Sequence, residues 1–551
     1  MEKLKRKMKS VPWNFWALLL IVAFGIFLRT YEFHDWLRFS MDQSRDAQII
    51  SDAIEGKKSL PLLGPLAGGT LFHLGPAYYH FSFISAKIFG NYPDKMAYPS
   101  LFFSILAIPL LFFFLNEYFK TKISLPLTFI MSVSYFAVVN SRFSSNPNLS
   151  PFFVLLFLWS FLKILNSPNK IFWRWPILVG LSLGIGIQIH TTLLVILPVF
   201  TFVMFLYFIK RKDIPSLKII PVVLLFALFV NVPQIISEAR TQGGNAKQFI
   251  QGLVLKGGDK GELGENVATA LICQIKSNAY ILSPLPTTQE CSSRIDLNLK
   301  KGSKEFYGEI KDRKLRKVAY ISNIILISFL SLFGYFLLGY YFHKEKEKNK
   351  KNFLALLAVF NLVSLIFLIP IISSISISYF IILFFIPFVL LGLIFKFIQE
   401  KFYLQGTRVV LISVAILIIL SLWAEKKEAE SYHQGLNNNT ENSDLREIEA
   451  IASFIIENSS SAEKVYFSGK KTYLKRFSRP LEYIIGRSNI KLIPTNINDM
   501  DEVDFGEEFF YIQKTGEEGL ERNKIIRGYQ VDRVQRFYGI EINILKKLKE
   551  N

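Results

Sequence analysis

The chain has 551 residues, 51% of them hydrophobic, including 52 Phe, and a mean hydropathy of +0.31. That much apolar sequence, gathered in blocks, excludes a soluble globular protein of this size. The net charge of +20 does not mark a nucleic-acid surface either: from Glu425 onward 20 Lys/Arg meet 22 Asp/Glu, so the excess lies in short connections between apolar blocks, where membrane topology places it.

The first block, Trp13 to Tyr31, is too long and aromatic for a cleavable leader and has no small-residue cleavage site after it. It is predicted to be a retained helix. Further blocks fall at about 97–116, 122–139, 149–166, 172–188, 191–209, 217–233, 317–342, 352–371, 379–397 and 407–424. With the first, they predict a mainly α, polytopic bundle of about eleven transmembrane helices, because about 20 apolar residues span the hydrocarbon as a helix.

Basic residues occupy every second connection. They are Lys3, Lys5, Arg6, Lys7 and Lys9; Lys120 and Lys122; Lys163, Lys170 and Arg174; Lys210, Arg211 and Lys212; Lys344 to Lys351; and Lys396, Lys401 and Arg408. The positive-inside rule then sets the N-terminus in the cytoplasm of a cell membrane and the tail outside. Three larger polar regions share the outer face: 32–96, 234–316 and 425–551. The chain thus divides into a membrane domain, 1–424, and an extracytoplasmic tail domain, 425–551.

Within 32–96, Gln43 to Glu55 and Pro76 to Ile88 are predicted surface helices, separated by the turn-forming Pro61, Gly64, Pro65, Gly68 and Gly69. In the next outer region, Cys273 and Cys291 are the only two cysteines. An oxidising exterior permits a bridge between them, and two unpaired thiols are the alternative. The tail reads as a small α/β domain, with a helix at Ser443 to Glu457 and strands at Lys464–Phe467, Ile490–Ile493, Phe509–Gln513 and Ile540–Leu545. It has no nucleophile motif or phosphate loop, so an accessory or acceptor-positioning role is expected.

Five polar clusters fall on the predicted outer face. Asp42 and Asp46 stand one helical turn apart around Arg45. A carboxylate here can serve as general base, or Asp42 can cap the helix while Asp46 pairs with Arg45 or Lys57. His73 precedes a Gly-Pro helix start with Tyr78 and Tyr79 behind it, a place for an anion or simply a structural histidine. Arg142 offers a phosphate fork, and Asn146-Pro147-Asn148 after it is also ordinary turn chemistry. Gln188 with His190, and Glu238 with Arg240, sit at helix ends where polar groups commonly cap. The inner loops hold only generic Lys and Arg, and polar groups near membrane depth tend to be functional. No metal-ligand spacing appears.

In order and spacing these elements resemble the lipid-sugar-dependent GT-C glycosyltransferases of the dolichyl-phosphate-mannose–protein mannosyltransferase type, which include bacterial aminoarabinose transferases. The resemblance covers roughly 10–240. It is carried by the basic N-terminus and first helix, Asp42-Gln43-Ser44-Arg45-Asp46-Ala47, and Leu60-Pro61-Leu62-Leu63-Gly64-Pro65. It continues in His73-Leu74-Gly75-Pro76-Ala77-Tyr78-Tyr79, Ser141-Arg142 with Asn146-Pro147-Asn148-Leu149, and Gln188-Ile189-His190-Thr191. It implies a GT-C-like bundle, a polyprenyl-phosphate sugar donor, inversion at the anomeric carbon, and Asp42 as base. Donor phosphate would lie near His73 and Arg142. The acceptor would be a glycolipid, protein or polysaccharide, with no cofactor and no obligatory metal. The family pattern has Asp-Glu where this chain has Asp42-Gln43, so Asp46 is the alternative base. A transporter or flippase of lipid-linked sugars would place charge at mid-span and repeat its helices, and this sequence does neither. A polysaccharide polymerase or ligase and a membrane scaffold are the other readings.

Overall fold

A computed structural model describes residues 12–167, 171–211, 217–256, 262–284, 291, 313–433, 443–459, 463–496, 505–506, 508–516, 525–526 and 528–548. Lys3 to Lys9, Lys170, Lys212, the Asn437 to Asn439 loop and part of the 234–316 region lie outside these. The protein is a multi-pass membrane protein with a small C-terminal sheet.

All eleven apolar blocks are helical. Seven are long and apolar enough to cross a membrane alone: Trp13–Thr30, Pro93–Leu115, Asn146–Leu165, Leu193–Lys210, Ile325–Lys344, Lys348–Ser374 and Leu404–Glu430. Three more are broken pairs. Thr121–Val133 meets Tyr135–Ser141 at 50°, Ile220–Val230 meets Val232–Arg240 at 66°, and Ile377–Leu383 meets Ile386–Phe402 at 62°. At the first break, Ser134 accepts from Ala137 N at 3.4 Å and donates to the Ile281 carbonyl at 2.7 Å, so a new helix starts there. At the other two, Pro233 and Pro387 open the second piece, a position that tolerates the missing N–H. Counting each pair once gives up to ten spans among the described residues. The eleventh block, Arg174–Ile189, has 16 residues. At about 1.5 Å per residue it falls short of a ~30 Å core. The expected bundle of about eleven helices is present, and among the described residues seven to ten of its spans meet the length and composition needed to cross a membrane.

Side chains from these helices form one large apolar core rich in Phe and Leu, including Phe114, Phe157, Phe200 and Phe360. The connections segregate to two ends. At one end lie the basic loops, where Lys163 pairs with Glu117, Lys396 donates to the Tyr118 hydroxyl at 2.8 Å and Asn352 donates to Asn166 at 2.9 Å. At the other, Arg38 bridges Phe143 on one side and Asp444 on the other, Asn245 pairs with the His73 backbone, and Asn146 donates to the Ile189 carbonyl. Every predicted outer polar cluster is at this second end.

The tail carries a six-stranded mixed sheet: β1 (Lys464–Gly469), β2 (Lys491–Asn496), β3 (Glu508–Lys514), β4 (Ile525–Ile526), β5 (Tyr529–Phe537) and β6 (Ile540–Lys547). The order is β2-β1-β3-β6-β5-β4, parallel where β1 meets β2 and β3 and antiparallel beyond. Helices Leu445–Asn458 and Lys471–Gly486 cover the face that carries Val465, Phe467, Phe510 and Ile512. The apolar core they bury is continuous with that of the two surface helices, Met41–Ile54 and Ala77–Phe89.

Polar contacts reinforce that junction. His34 sits 3.3 Å from Asp94 and 3.1 Å from Glu449, stacked on Tyr92, whose hydroxyl donates to Glu449 at 2.5 Å. Burial opposes the imidazolium, but Glu449 and Asp94 together outweigh it and raise the His34 pKa above its usual 6.5. A raised pKa gives stabilisation that is complete below the unfolded value of 6.5 and is lost as pH rises through the folded value. His34→Gln is therefore expected to lower the melting temperature in detergent most at mildly acidic pH. The deficit should shrink on the alkaline side of neutrality, where Lys95, Arg487 and Tyr92 remain as neighbours. A deficit independent of pH would mean that the His34 charge does not hold the junction.

Candidate active site

Helix Met41–Ile54 begins with a capping box: Ser40 and Gln43 bond reciprocally, with the Gln43 amide oxygen accepting from Ser40 N at 3.3 Å. The other end of the same amide donates to the Ser144 carbonyl at 3.2 Å. Gln43 is buried, and both ends of its amide are used. A carboxylate there can close the box but cannot donate to Ser144. Gln43→Glu is expected to cost about 1–3 kcal/mol, the penalty for stranding a buried polar group, read as a lower melting temperature with reduced activity. An unchanged melting temperature would show that the Ser144 contact is not used.

One turn on, three charges interlock. Arg45 donates through Nη1 to Asp42 Oδ1 at 2.9 Å, and through Nε and Nη2 to Asp46 Oδ1 at 2.9 and 2.8 Å. The Tyr79 hydroxyl adds a third donor to the same Asp46 oxygen at 2.9 Å. The two carboxylates differ in setting. The Asp42 side chain is 71% exposed, whereas that of Asp46 is 6% exposed. Burial pushes the Asp46 carboxyl up to about 6, although Arg45 and Tyr79 pull it down. Arg45 in turn is held firmly protonated: burial opposes its charge, and Asp46 more than compensates.

A narrow cavity adjoins Asp46, walled by Arg38, Phe39, Gln43, Tyr78, Met96 and Ser144 among others. Tyr78 and Ser144 hydroxyls are 2.8 Å apart across it. Tyr78 and Tyr79 are both almost fully buried, and burial raises both phenols. Both therefore stay neutral, and Tyr79 donates to Asp46.

The remaining predicted residues build the frame. Gln188 accepts from Ala77 N at 3.0 Å and donates to the Gly184 and Val230 carbonyls, so it caps the helix that presents Tyr78 and Tyr79. Gly75 lies against the Gln188 side chain, and a Cβ at Gly64 would strike the Gly75 carbonyl. Those two glycines permit the close turn. His73 Nδ1 donates to the Gly64 carbonyl at 2.8 Å. His190 Nδ1 accepts from Thr192 N at 3.2 Å, with the ring 5.4 Å from Tyr379. Asn146 and Asn148 donate to backbone carbonyls, and Glu238 accepts from Ala246 N at 3.3 Å.

Arg142 lies elsewhere. Its Nη2 donates to the Leu28 carbonyl at 2.6 Å, its guanidinium lies over Trp36, and Glu425 and Glu428 lie within electrostatic reach of it. It braces the first and last spans, and among its described partners none is Asp42, Arg45 or Asp46. Cys273 and Cys291 are joined in a disulfide. Among the described residues no three His, Cys, Asp or Glu side chains converge as a metal set. Reading the sequence missed Ser144, and no local pattern could have singled it out. It also left open that Tyr79 serves Asp46.

Residues 73–236 match the family of dolichyl-phosphate-mannose-protein mannosyltransferases. Over nearly its whole length the chain is similar in structure to ArnT from Cupriavidus metallidurans bound to undecaprenyl phosphate, with TM-score 0.54, 9% identity, and coverage of 97% of this chain and 98% of that one. It is also similar to an oligosaccharyltransferase from Archaeoglobus fulgidus in complex with zinc and sulfate, with TM-score 0.51 and 13% identity. That match covers 88% of this chain and 62% of the longer protein. No curated protein matches the chain in sequence. The chain therefore shares the fold of these proteins, the GT-C fold.

Proposed function

We propose that the protein is a membrane glycosyltransferase that moves a sugar from a polyprenyl-phosphate donor to an acceptor hydroxyl on the extracytoplasmic face. The observation that carries this reading is the Asp42–Arg45–Asp46 array on a surface helix, at the end of a GT-C bundle opposite the basic loops. The charge asymmetry of the two ends supports an outer position for that array. A disulfide between Cys273 and Cys291 fits an oxidising compartment.

In this reading the exposed Asp42 is the base. It takes the proton from the acceptor hydroxyl as that oxygen attacks the anomeric carbon. The bond from that carbon to the phosphate oxygen breaks, and polyprenyl phosphate leaves with its electron pair. A single displacement inverts the anomeric centre. Arg45 supplies positive charge beside the leaving phosphate. Asp46, buried and bonded to Tyr79, fixes where Arg45 stands. Asp46 is the less accessible base: it is buried and its Oδ1 accepts three hydrogen bonds, whereas the exposed Asp42 accepts one, from Arg45. Donor contact by His73, Gln188 or His190 would come through the frame those residues build, and Arg142 acts as a brace.

The test uses purified protein in phospholipid vesicles with a polyprenyl-phosphate sugar and a membrane extract as acceptor source. Release of polyprenyl phosphate coupled to sugar transfer is expected. Transfer from a nucleotide sugar, with none from the lipid donor, would overturn the proposal.

A further inference from the structure

The tail domain sits directly on the helix that bears the candidate site, and its contacts form an ordered chain. Before that helix, Phe39 N donates to the Ser443 carbonyl at 2.9 Å, Leu445 N donates to the Leu37 carbonyl at 2.8 Å, and the Ser443 hydroxyl donates to the Phe39 carbonyl at 2.8 Å. The segment thus clamped runs straight into Ser40, Met41 and Asp42. At the far end of the helix, the Tyr483 and Ser51 hydroxyls are 2.9 Å apart, and the Tyr483 ring also packs on Phe39 at 5.7 Å.

Donor accounting fixes the direction of this chain. Asn91 Nδ2 donates to Glu55 at 3.1 Å, so its Oδ1 is the acceptor that faces Ser51 at 2.9 Å. Ser51 has one hydrogen and gives it to Asn91. Tyr483 must then donate to Ser51, and its own oxygen accepts from Arg487 Nη1 at 3.3 Å. The run Arg487, Tyr483, Ser51, Asn91, Glu55 is head-to-tail throughout. One tail side chain therefore grips both ends of the site helix. Ser51 and Tyr483 are both buried, so the contact is shielded from water.

We infer that Tyr483 of the tail domain is a positioning residue for the proposed transfer: it sets the register of helix Met41–Ile54 and thereby the place of Asp42 and Arg45. This rests on the reading of Asp42 as base. It assigns the tail to the site's scaffold and not to holding the acceptor. Positioning errors of about 1 Å cost up to about 10²-fold in rate, and such an error appears in kcat, not in substrate binding.

The experiment compares Tyr483→Phe, Tyr483→Ala and Ser51→Ala with the unaltered protein in vesicles, with rates normalised to folded protein by detergent gel filtration. Tyr483→Phe keeps the ring against Phe39 and removes only the hydroxyl. Its kcat is expected to fall about tenfold and that of Tyr483→Ala about a hundredfold, with KM for donor and acceptor unchanged. Ser51→Ala should match Tyr483→Phe, and combining the two should cost no more than either alone. Lys475→Ala, on the exposed side of the same tail helix, should leave the rate intact. Full kcat in both Tyr483 variants overturns the inference, as does a rise in acceptor KM alone, which would make the tail an acceptor platform. Asp42→Asn in the same assay separates the two claims. If Asp42→Asn is inactive while the Tyr483 variants run at full rate, only the positioning role fails. If Asp42→Asn is fully active, the base assignment fails.

Discussion

Asp42→Asn is expected to reduce transfer by about 10²–10⁴-fold, the usual contribution of general-base assistance, while the protein remains folded. Folding should survive because the Asp42 side chain is 71% exposed and Asn still offers Arg45 an acceptor. The buried partnership of Arg45 with Asp46 is untouched. The loss should fall on kcat, since the proton transfer it removes occurs only in the transition state. Transfer at the unaltered rate would remove Asp42 from the base role, and loss confined to Asp46→Asn would move that role one turn along the helix.

The second large effect concerns Asp46 and is legible in its pH dependence. Its carboxyl, raised to about 6 by burial, is ionised in the fold only above that pH. Protonation releases Arg45 from its strongest anchor, so the rate is expected to decline on an acid limb near pH 6. Tyr79→Phe removes a hydrogen bond that favours the carboxylate, so the limb should move to higher pH. Asp46→Asn should abolish the limb and lower kcat throughout. It should also destabilise the protein, though by less than the ~3–5 kcal/mol typical of a broken buried pair. The discount applies because Arg45 is 25% exposed and keeps Asp42 as a partner. A limb that stays in place in Tyr79→Phe would dissociate it from Asp46.

Much of the architecture can be read from the chain because hydropathy and loop charge act locally. Each apolar block became a helix, and among the described residues the basic loop around Glu117, Lys163 and Lys396 lies at the end opposite the outer polar clusters. Hydropathy alone does not show where a block bends: three are broken at Ser134, Pro233 and Pro387, and the helix Arg174–Ile189 has 16 residues. In the tail, four strands were visible as β-branched and aromatic runs. β5 was not, because one face of Tyr529–Phe537 is solvated and its residues are mostly polar. The helix Lys471–Gly486 was hidden by Pro480 in its interior. The site was legible as a cluster but not as a division of labour. Spacing put Asp42, Arg45 and Asp46 on one helix face, yet only burial distinguishes the two carboxylates. The partners that give Asp46 and the helix their places, Tyr79, Ser144 and Tyr483, are distant in sequence and leave no local signature. Arg142 shows the converse: an arginine at an outer helix end reads like a phosphate ligand, and its partners at the first and last spans lie far along the chain.

Mass spectrometry of cell-surface glycans tests the central claim most directly, in cells lacking the protein and in the same cells supplied with the unaltered or the Asp42→Asn chain. The expected result is loss of a single sugar residue's mass from one surface glycan, restored by the unaltered chain and not by Asp42→Asn. Surface glycans unchanged by the loss, or restored equally by Asp42→Asn, would contradict an outer-face transferase with Asp42 as its base.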